Sequence, residues 1–350
     1  MKLKILFTAG RELEYVRNSI LYKSFQKFAE TILIIDNSKN FVIKYLKLLL
    51  KLLITKKNYD FVFVGFFGSI IMFLSPVLFR TKIIFDAFVF TYDTLCYDRK
   101  LCKPNSIFGK LIFQFDKISF KHAHHILVET QQNKIYLVDK YQIPKEKIST
   151  VYIGCDEEIF VDKNDSQVSN IILFYSTYQP LHGTDTIIKA ASYIENDFDI
   201  KFHIYGNGME FKKCKKLAED LKLTNLFLFQ PVAYSVLPKI ISRSKICLGG
   251  PFGDTFKARR VITGKTYQFL FMKKPVIVTN THANKELLTP MWDAEFCEIN
   301  NPESLANSIT KLLKNPNYCT QIANNGYKTY LEKASNILIS TQIKNIVENL

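Results

Sequence analysis

The chain lacks any arrangement of cysteines that could build a metal ribbon or a disulfide framework. Its seven cysteines are scattered, and no two of them form a Cys-x-x-Cys pair. This spacing excludes a zinc ribbon and a small disulfide-rich fold, and it is typical of a protein in a reducing cytosol. The chain has a single tryptophan and 13 glycines. Its aromatic content of 14% consists mostly of Phe and Tyr.

Acidic residues are also scarce, with 32 Asp and Glu against 47 Lys and Arg, so that the formal net charge is +15. Such a surface attracts nucleic acid, anionic lipid or phosphorylated small molecules. No signal-peptide pattern precedes the first strand-like run, KLKILF, which leads directly into a glycine turn. We therefore expect a cytoplasmic protein, and 350 residues are enough for two domains with their own cores.

A long uncharged run, residues 61–79, approaches the minimum length of a transmembrane helix. Gly65, Gly68 and Pro76 interrupt it, and its first four residues are β-branched or aromatic. A buried strand, a glycine turn and a short buried helix explain these features better than a spanning helix does.

Positive charge is concentrated in residues 1–57, which hold twelve Lys or Arg and four acidic residues. Residues 41–55 predict an apolar helix with Lys44, Lys47 and Lys51 on one stripe. The pattern is typical of a helix in an anionic membrane interface, and equally of a crossover helix whose lysines lie in water. We expect peripheral association with the inner face of the cytoplasmic membrane, and the crossover interpretation stays open.

Strand-like runs alternate with helical patterns over residues 4–156, and the alternation begins again at Asn170 after the polar linker 162–167. This order predicts the α/β class, with doubly wound parallel sheets that bind ligands at the carboxyl ends of their strands. The expected domains are two Rossmann-like units facing a cleft, residues 1–161 and 168–333. Residues 334–350 are expected to form a helix that could pack back on the first domain.

A glycine-rich turn followed by four cations and an apolar helix occupies residues 249–272. The cations are Lys257, Arg259, Arg260 and Lys265. A loop that leads into a helix in this way predicts a phosphate site, because backbone N–H groups and the positive helix end face the anion. The alternative is a solvated basic helix start.

Four segments resemble, in order, the GT-B glycosyltransferases of the large retaining family called group 1 or family 4. They are residues 151–160 (a "G-x-D" domain junction), 176–183 (STYQPLHG), 203–208 (HIYGNG) and 265–277 (KTYQFL through KPVI). The resemblance implies sugar transfer from a nucleotide-sugar to a glycan or glycolipid acceptor, with retention of configuration. It also implies a GT-B fold, in which the second domain binds the donor and the first binds the acceptor.

The chain departs from this family at its charged positions. The loop that normally carries Arg and Lys has Ser176 or Thr177 and His182 at these positions. The usual pair of glutamates is replaced by Arg260 and Gln268. The neighbouring cations could neutralise the diphosphate instead, and Gln268 could bind a ribose hydroxyl. We predict catalytic roles for Asp86, Arg260 and Lys265, with Asp93 as the alternate to Asp86. The predicted donor-binding residues are Gly10, Thr177, His182, Gly183, Gly206, Lys257, Gln268 and Glu286.

No metal and no other cofactor is expected. The one pair at DxD spacing, Asp197 and Asp199, precedes a strand and so lies at the wrong end for the cleft. His122, His124 and His125 are interpreted as structural, because they lie where a helix passes into a strand. Two other classes remain open: a catalytically inactive GT-B-like partner in a glycan assembly complex, and a basic nucleic-acid-binding protein. The partners that we expect are a nucleotide-sugar, a glycan acceptor and an anionic membrane surface. We expect no nucleic acid.

Overall fold

A computed structural model describes residues 3–55, 58–161, 168–194 and 198–350. The chain divides into two compact units. Unit 1 comprises Met1–Gly154 together with Asn336–Leu350, and unit 2 comprises Cys155–Ser335. The predicted linker 162–167 and Asp197 of the predicted DxD pair lie outside the described residues.

Unit 1 is built on a parallel sheet of six strands in the order β2-β1-β3-β4-β5-β6. The strands are β1 Lys4–Thr8, β2 Glu30–Ile34, β3 Phe61–Val64, β4 Lys82–Asp86, β5 His125–Val128 and β6 Ile148–Thr150. The helices that connect them are α1 Val16–Gln26, α2 Phe41–Ile54, α3 Ser69–Phe73, α4 Ser75–Leu78, α5 Ile107–His122 and α6 Gln131–Tyr141. Strand order and parallel pairing agree with the predicted doubly wound sheet.

Unit 2 repeats this architecture with a parallel sheet in the order β12-β11-β10-β7-β8-β9. Its strands are β7 Ile171–Ser176, β8 Lys201–Gly206, β9 Leu226–Phe229, β10 Ile246–Gly250, β11 Val276–Thr279 and β12 Glu295–Cys297. Its helices are α7 Thr184–Tyr193, α8 Phe211–Asp220, α9 Leu237–Arg243, α10 Gly264–Phe271, α11 His282–Leu287, α12 Pro302–Lys314 and α13 Pro316–Lys333.

A last helix, α14 Asn336–Glu348, returns to unit 1 and packs against α1. Ile339, Ile343 and Val347 are buried there in a hydrophobic core with residues of α1 and of the central strands. The opposite face of the same sheet carries a second core, to which α2 contributes Leu48 and Leu52. Unit 1 is therefore a three-layer α/β structure with helices on both faces of the sheet. The last helix of the chain, α14, completes one of these two helical layers.

The uncharged run 61–79 forms β3, a turn, α3 and α4, as its glycines and proline predicted. Within the described ranges, no helix combines the length and the apolarity needed to cross a bilayer.

Cys96 and Cys102 form a disulfide, which the expectation of a reducing cytosol did not anticipate. The pair lies in and just after a π-helical turn, Asp93–Asp98.

Candidate functional site

The carboxyl ends of β10, β7 and β8 lie side by side in the sheet of unit 2. Gly206 ends β8 with φ of +138°, and a Cβ on it would collide with the carbonyl oxygen of Ser176 at the end of β7. The two strand ends can approach this closely only because position 206 has no side chain.

Gly183 begins α7 in the left-handed conformation, with φ of +60°. A Cβ at this position would collide with the backbone of Phe252 and Gly253. The backbone N–H of Gly253 donates to Leu181 O (3.1 Å), and that of Phe252 donates to His182 O (3.3 Å). These contacts join the 181–183 turn to the glycine-rich loop after β10, and thus bring two of the predicted donor segments together.

Lys265 is the second residue of α10 and is only 7% exposed. Its Nζ lies 4.2 Å from the centre of the Phe174 ring and has no hydrogen-bond partner among the residues that the structure describes. Burial lowers the pKa of this amine to about 7. A buried amine over the face of an aromatic ring, with no carboxylate bonded to it, is suited to receive an anion.

The Nδ1 of His182 is also buried without a hydrogen-bond partner in the described part of the chain. Burial is the main reason why the pKa of His182 lies well below its ordinary value, and the charges of Lys265 and Lys257 lower it further. The ring is therefore a neutral imidazole at physiological pH, close enough to both lysines to feel their charge.

Arg260 adds a third cation to this edge of the sheet. It is 7% exposed, and its guanidinium lies 4.5 Å from the centre of the Phe256 ring. Its backbone N–H donates to Lys257 O (2.9 Å), so that both cations belong to one turn. Arg259 differs, because it is exposed and pairs with Asp254 at 2.8 Å.

Gln268 is occupied by the protein itself. Its Oε1 accepts a hydrogen bond from the Tyr175 hydroxyl, and its Nε2 donates to the Tyr234 hydroxyl at 3.0 Å. Tyr175 thus takes one of the two lone pairs of this carbonyl oxygen, for which the sequence suggested a ribose hydroxyl as the partner. Tyr175 and Tyr234 were missed, because an aromatic residue in a strand or a short turn is indistinguishable from a core residue by pattern.

The remaining predicted donor residues are at the periphery of this group. Thr177 is exposed directly after β7, and Glu286 is half-buried on α11, which follows β11.

Asp86 ends β4 in unit 1, but its environment differs from the prediction. Both its oxygens accept hydrogen bonds from Arg17, with Nη2 to Oδ1 at 2.8 Å, and neither side chain is exposed. Arg17 also donates to the carbonyl oxygens of Val151 and Tyr152. The carboxylate is therefore held in a buried structural ion pair, and the geometry gives no support for a catalytic role.

Contacts within unit 1 also account for Gly10 and Asp93. A Cβ on Gly10 would collide with Phe67 O and the Tyr45 hydroxyl, which explains the glycine by packing within unit 1. Asp93 is buried and accepts a hydrogen bond from the Tyr136 hydroxyl at 2.6 Å.

The three neighbouring histidines each bond to a different partner. His122 contacts Met72 O, His124 accepts from the Ile83 N–H, and His125 contacts the Ser149 hydroxyl. The residues that the structure describes include no group of three or more His, Cys, Asp or Glu that could hold a metal ion. These separate partners are those expected of structural histidines.

The two six-stranded parallel sheets match solved structures of the GT-B fold. The chain is similar to HepE of Anabaena, solved in complex with UDP-glucose, with a TM-score of 0.75 at 12% identity over 99% of this chain and 100% of that one. It is also similar to sucrose-phosphate synthase of Thermosynechococcus elongatus, with a TM-score of 0.79 at 11% identity over 99% and 98% of the two chains.

Residues 169–315 match the family model of the glycosyl transferases group 1. An uncharacterised glycosyltransferase of Methanocaldococcus jannaschii is 23% identical over 241 residues, which are 67% of this chain. The matched region spans 61% of the length of that relative. The family match coincides with unit 2 and includes Lys265, Arg260 and His182.

Proposed function

We propose that this protein is a glycosyltransferase that binds a nucleotide-sugar at the carboxyl edge of the sheet in unit 2. The observation that carries the proposal is the pair of Lys265 and His182, whose buried side-chain nitrogen atoms have no hydrogen-bond partner in the described structure. The family match over residues 169–315 and the likeness to a protein solved with UDP-glucose support the same ligand class.

The chemistry follows from charge. When the glycosidic bond to the nucleotide breaks, negative charge builds on the leaving diphosphate. Lys265 and Arg260 are placed to neutralise it, and His182 can donate a neutral hydrogen bond. Since these groups supply the positive charge themselves, transfer proceeds without a metal ion. In line with the resemblance, the reaction retains the anomeric configuration, and the protein is an active enzyme and not an inactive partner.

We further propose a membrane-proximal or lipid-linked glycan acceptor, reached from the cytoplasmic face of the membrane. Support comes from α2, where seven apolar side chains are 46–81% exposed. They are Phe41, Val42, Ile43, Leu46, Leu50, Leu53 and Ile54. Exposed apolar residues continue on α4 and α5, which share the core of α2, at Val77, Ile107, Phe108 and Leu111. An apolar surface of this extent, beside Lys44 and Lys47, fits an anionic lipid interface.

A thermal-shift screen with UDP, GDP and ADP, followed by transfer assays with the corresponding sugar donors, tests the proposal. One diphosphate should raise the melting temperature, because a ligand at 100 times its Kd stabilises the folded state by about 2.7 kcal/mol. Lys265→Ala and Arg260→Ala should each lower turnover about 100-fold.

Lys212→Ala, an exposed lysine on α8, is the matched control and should leave turnover unchanged. Binding without transfer from any sugar donor would favour the inactive partner. Normal rates in both site variants would place the donor elsewhere.

A further inference from the structure

The anion site leaves one strongly basic group buried without a counter-ion. Lys265 Nζ has no hydrogen-bond partner in the described structure, and the residue is 7% exposed. An ammonium ion removed from water without an opposite charge is far less stable than the neutral amine. The lowered pKa of Lys265, about 7, has this cause.

The surroundings of Lys265 offer no carboxylate that could compensate it. The titratable groups next to it are His182 from the turn after β7 and Tyr175 from β7, and Lys257 from the turn before α10 acts on the same His182. Two of these are bases, and the Tyr175 hydroxyl donates to Gln268. Position 268, next on this face of α10, carries an amide whose oxygen and nitrogen are both bonded to tyrosines.

We propose that the diphosphate of the donor enters this site together with one proton, which the Lys265 amine takes from solvent as the anion binds. The inference rests on the proposed function, because the ligand is the donor's diphosphate. The amine becomes an ammonium ion that pairs with the phosphate oxygens, while His182 stays neutral. The free protein avoids a buried unpaired charge, and the complex gains a buried ion pair.

The coupling makes donor affinity depend on pH in a defined direction. Above pH 7 the free protein must first protonate Lys265, so that affinity falls with rising pH and approaches a tenfold loss per pH unit. Between pH 7 and pH 9 the Kd should increase about 50-fold. The terminal phosphate of the ligand is fully ionised over this range, since its second pKa is about 6.

Calorimetric titration of the full-length protein with UDP, or with GDP or ADP if these bind better, measures the proton directly. At pH 8, in two buffers of low and high ionisation enthalpy, the difference in observed enthalpy should correspond to uptake of about 0.9 proton per nucleotide. Lys265→Arg carries a permanent charge and should bind with little proton uptake and a flat pH profile. Lys265→Met should bind weakly, also without uptake, and Lys212→Arg should behave as the wild type.

Nucleotide binding without proton uptake and with a pH-independent Kd would overturn the coupling and leave the donor site intact. Full uptake in Lys265→Arg would overturn the role of Lys265 and point to His182. If none of the three diphosphates bound, the proposed function and the coupling would both fall.

Discussion

Two buried cations show how differently the chain treats positive charge at single residues. Arg17 is fully buried, and its guanidinium bonds to a carboxylate and to two backbone carbonyl groups. Lys265 is nearly as buried, but its amine bonds to no described residue. The first arrangement is complete within the protein, whereas the second leaves the amine open to the anion proposed above.

The cost of burying this unpaired amine can be measured in the free protein. Lys265→Met keeps the unbranched stem of the side chain and removes the amine, so unit 2 should become more stable at pH 7, by on the order of 3 kcal/mol. Between pH 7 and pH 10 the unfolded chain binds this proton and the folded chain does not. Wild-type stability should therefore rise with pH in this window, and the rise should be smaller in Lys265→Met.

Thermal melting of both proteins from pH 6 to pH 10 measures the difference. An equal pH dependence in the two proteins would contradict a lowered pKa at Lys265.

The site was partly predictable from sequence at this scale. Lys265 and Arg260 were identifiable because cations after a glycine-rich turn carry a local signal, and His182 was identifiable from the family loop that residues 176–183 resemble. The pairing of Asp86 with Arg17 was not, because the partners are 69 positions apart and no local pattern records which side chains meet. The hydrogen bonds of Gln268 with Tyr175 and Tyr234 could not be predicted, for the same reason.

At the scale of elements, α2 differs from an ordinary crossover helix in the amount of apolar surface that it exposes. Its buried residues are Tyr45, Leu48 and Leu52, and most of its other apolar residues are exposed. One lysine of the predicted stripe has a structural partner, since Lys51 pairs with Asp36 at 3.0 Å. Hydrogen bonds from Ser38 lower the pKa of Asp36, and the ion pair with Lys51 lowers it further. Lys44 and Lys47 are the stripe residues suited to lipid contact.

Sedimentation with vesicles tests this surface. The wild type should bind anionic vesicles at low salt, and binding should decrease as salt increases. Lys44→Glu with Lys47→Glu should weaken binding by about 30-fold or more, because each lysine near an anionic surface contributes about 1 kcal/mol. Leu46→Ser with Leu50→Ser should weaken binding also at high salt, where the apolar contribution remains.

The matched control is Lys212→Glu with Lys216→Glu on α8, which changes the net charge equally on an exposed helix of unit 2. If the control lost binding as strongly as the α2 variant, net charge and not this helix would explain the attraction. A wild type that ignored anionic vesicles at low salt would make α2 a crossover helix with an unusually apolar surface.

At the scale of the whole molecule, the fold was largely predictable because buried parallel strands and amphipathic helices have distinct sequence periods. The boundaries of α2 and β1 agree with the predicted ones to within a residue. Short elements such as α11 and β12 escaped prediction, since a few residues carry too little periodicity. The disulfide between Cys96 and Cys102 was not predicted, because a single pair six residues apart does not form the regular pattern of a disulfide framework.

Because α14 returns to unit 1, the stability of this unit depends on the last helix of the chain. Ile343→Asp would place a charge in the core formed by α1, α14 and the central strands, and should destabilise unit 1 by about 3 kcal/mol or more. Limited proteolysis should then cut unit 1 at lower temperature than in the wild type. Lys344→Asp, which replaces the next and exposed residue, is the control and should change little. Equal protection of both variants would contradict the packing.

The same helix has a consequence for biosynthesis. A ribosome that has finished unit 1 up to Gly154 must still translate residues 155–335 before α14 emerges. At about 5–20 residues per second this takes on the order of 10–40 s. During that time Ile20, Leu21 and Phe25 on the outer layer of the nascent first unit lack their final cover. The interval is long compared with the folding time of a single small domain. The nascent chain therefore exposes an apolar surface that chaperones can bind until translation ends.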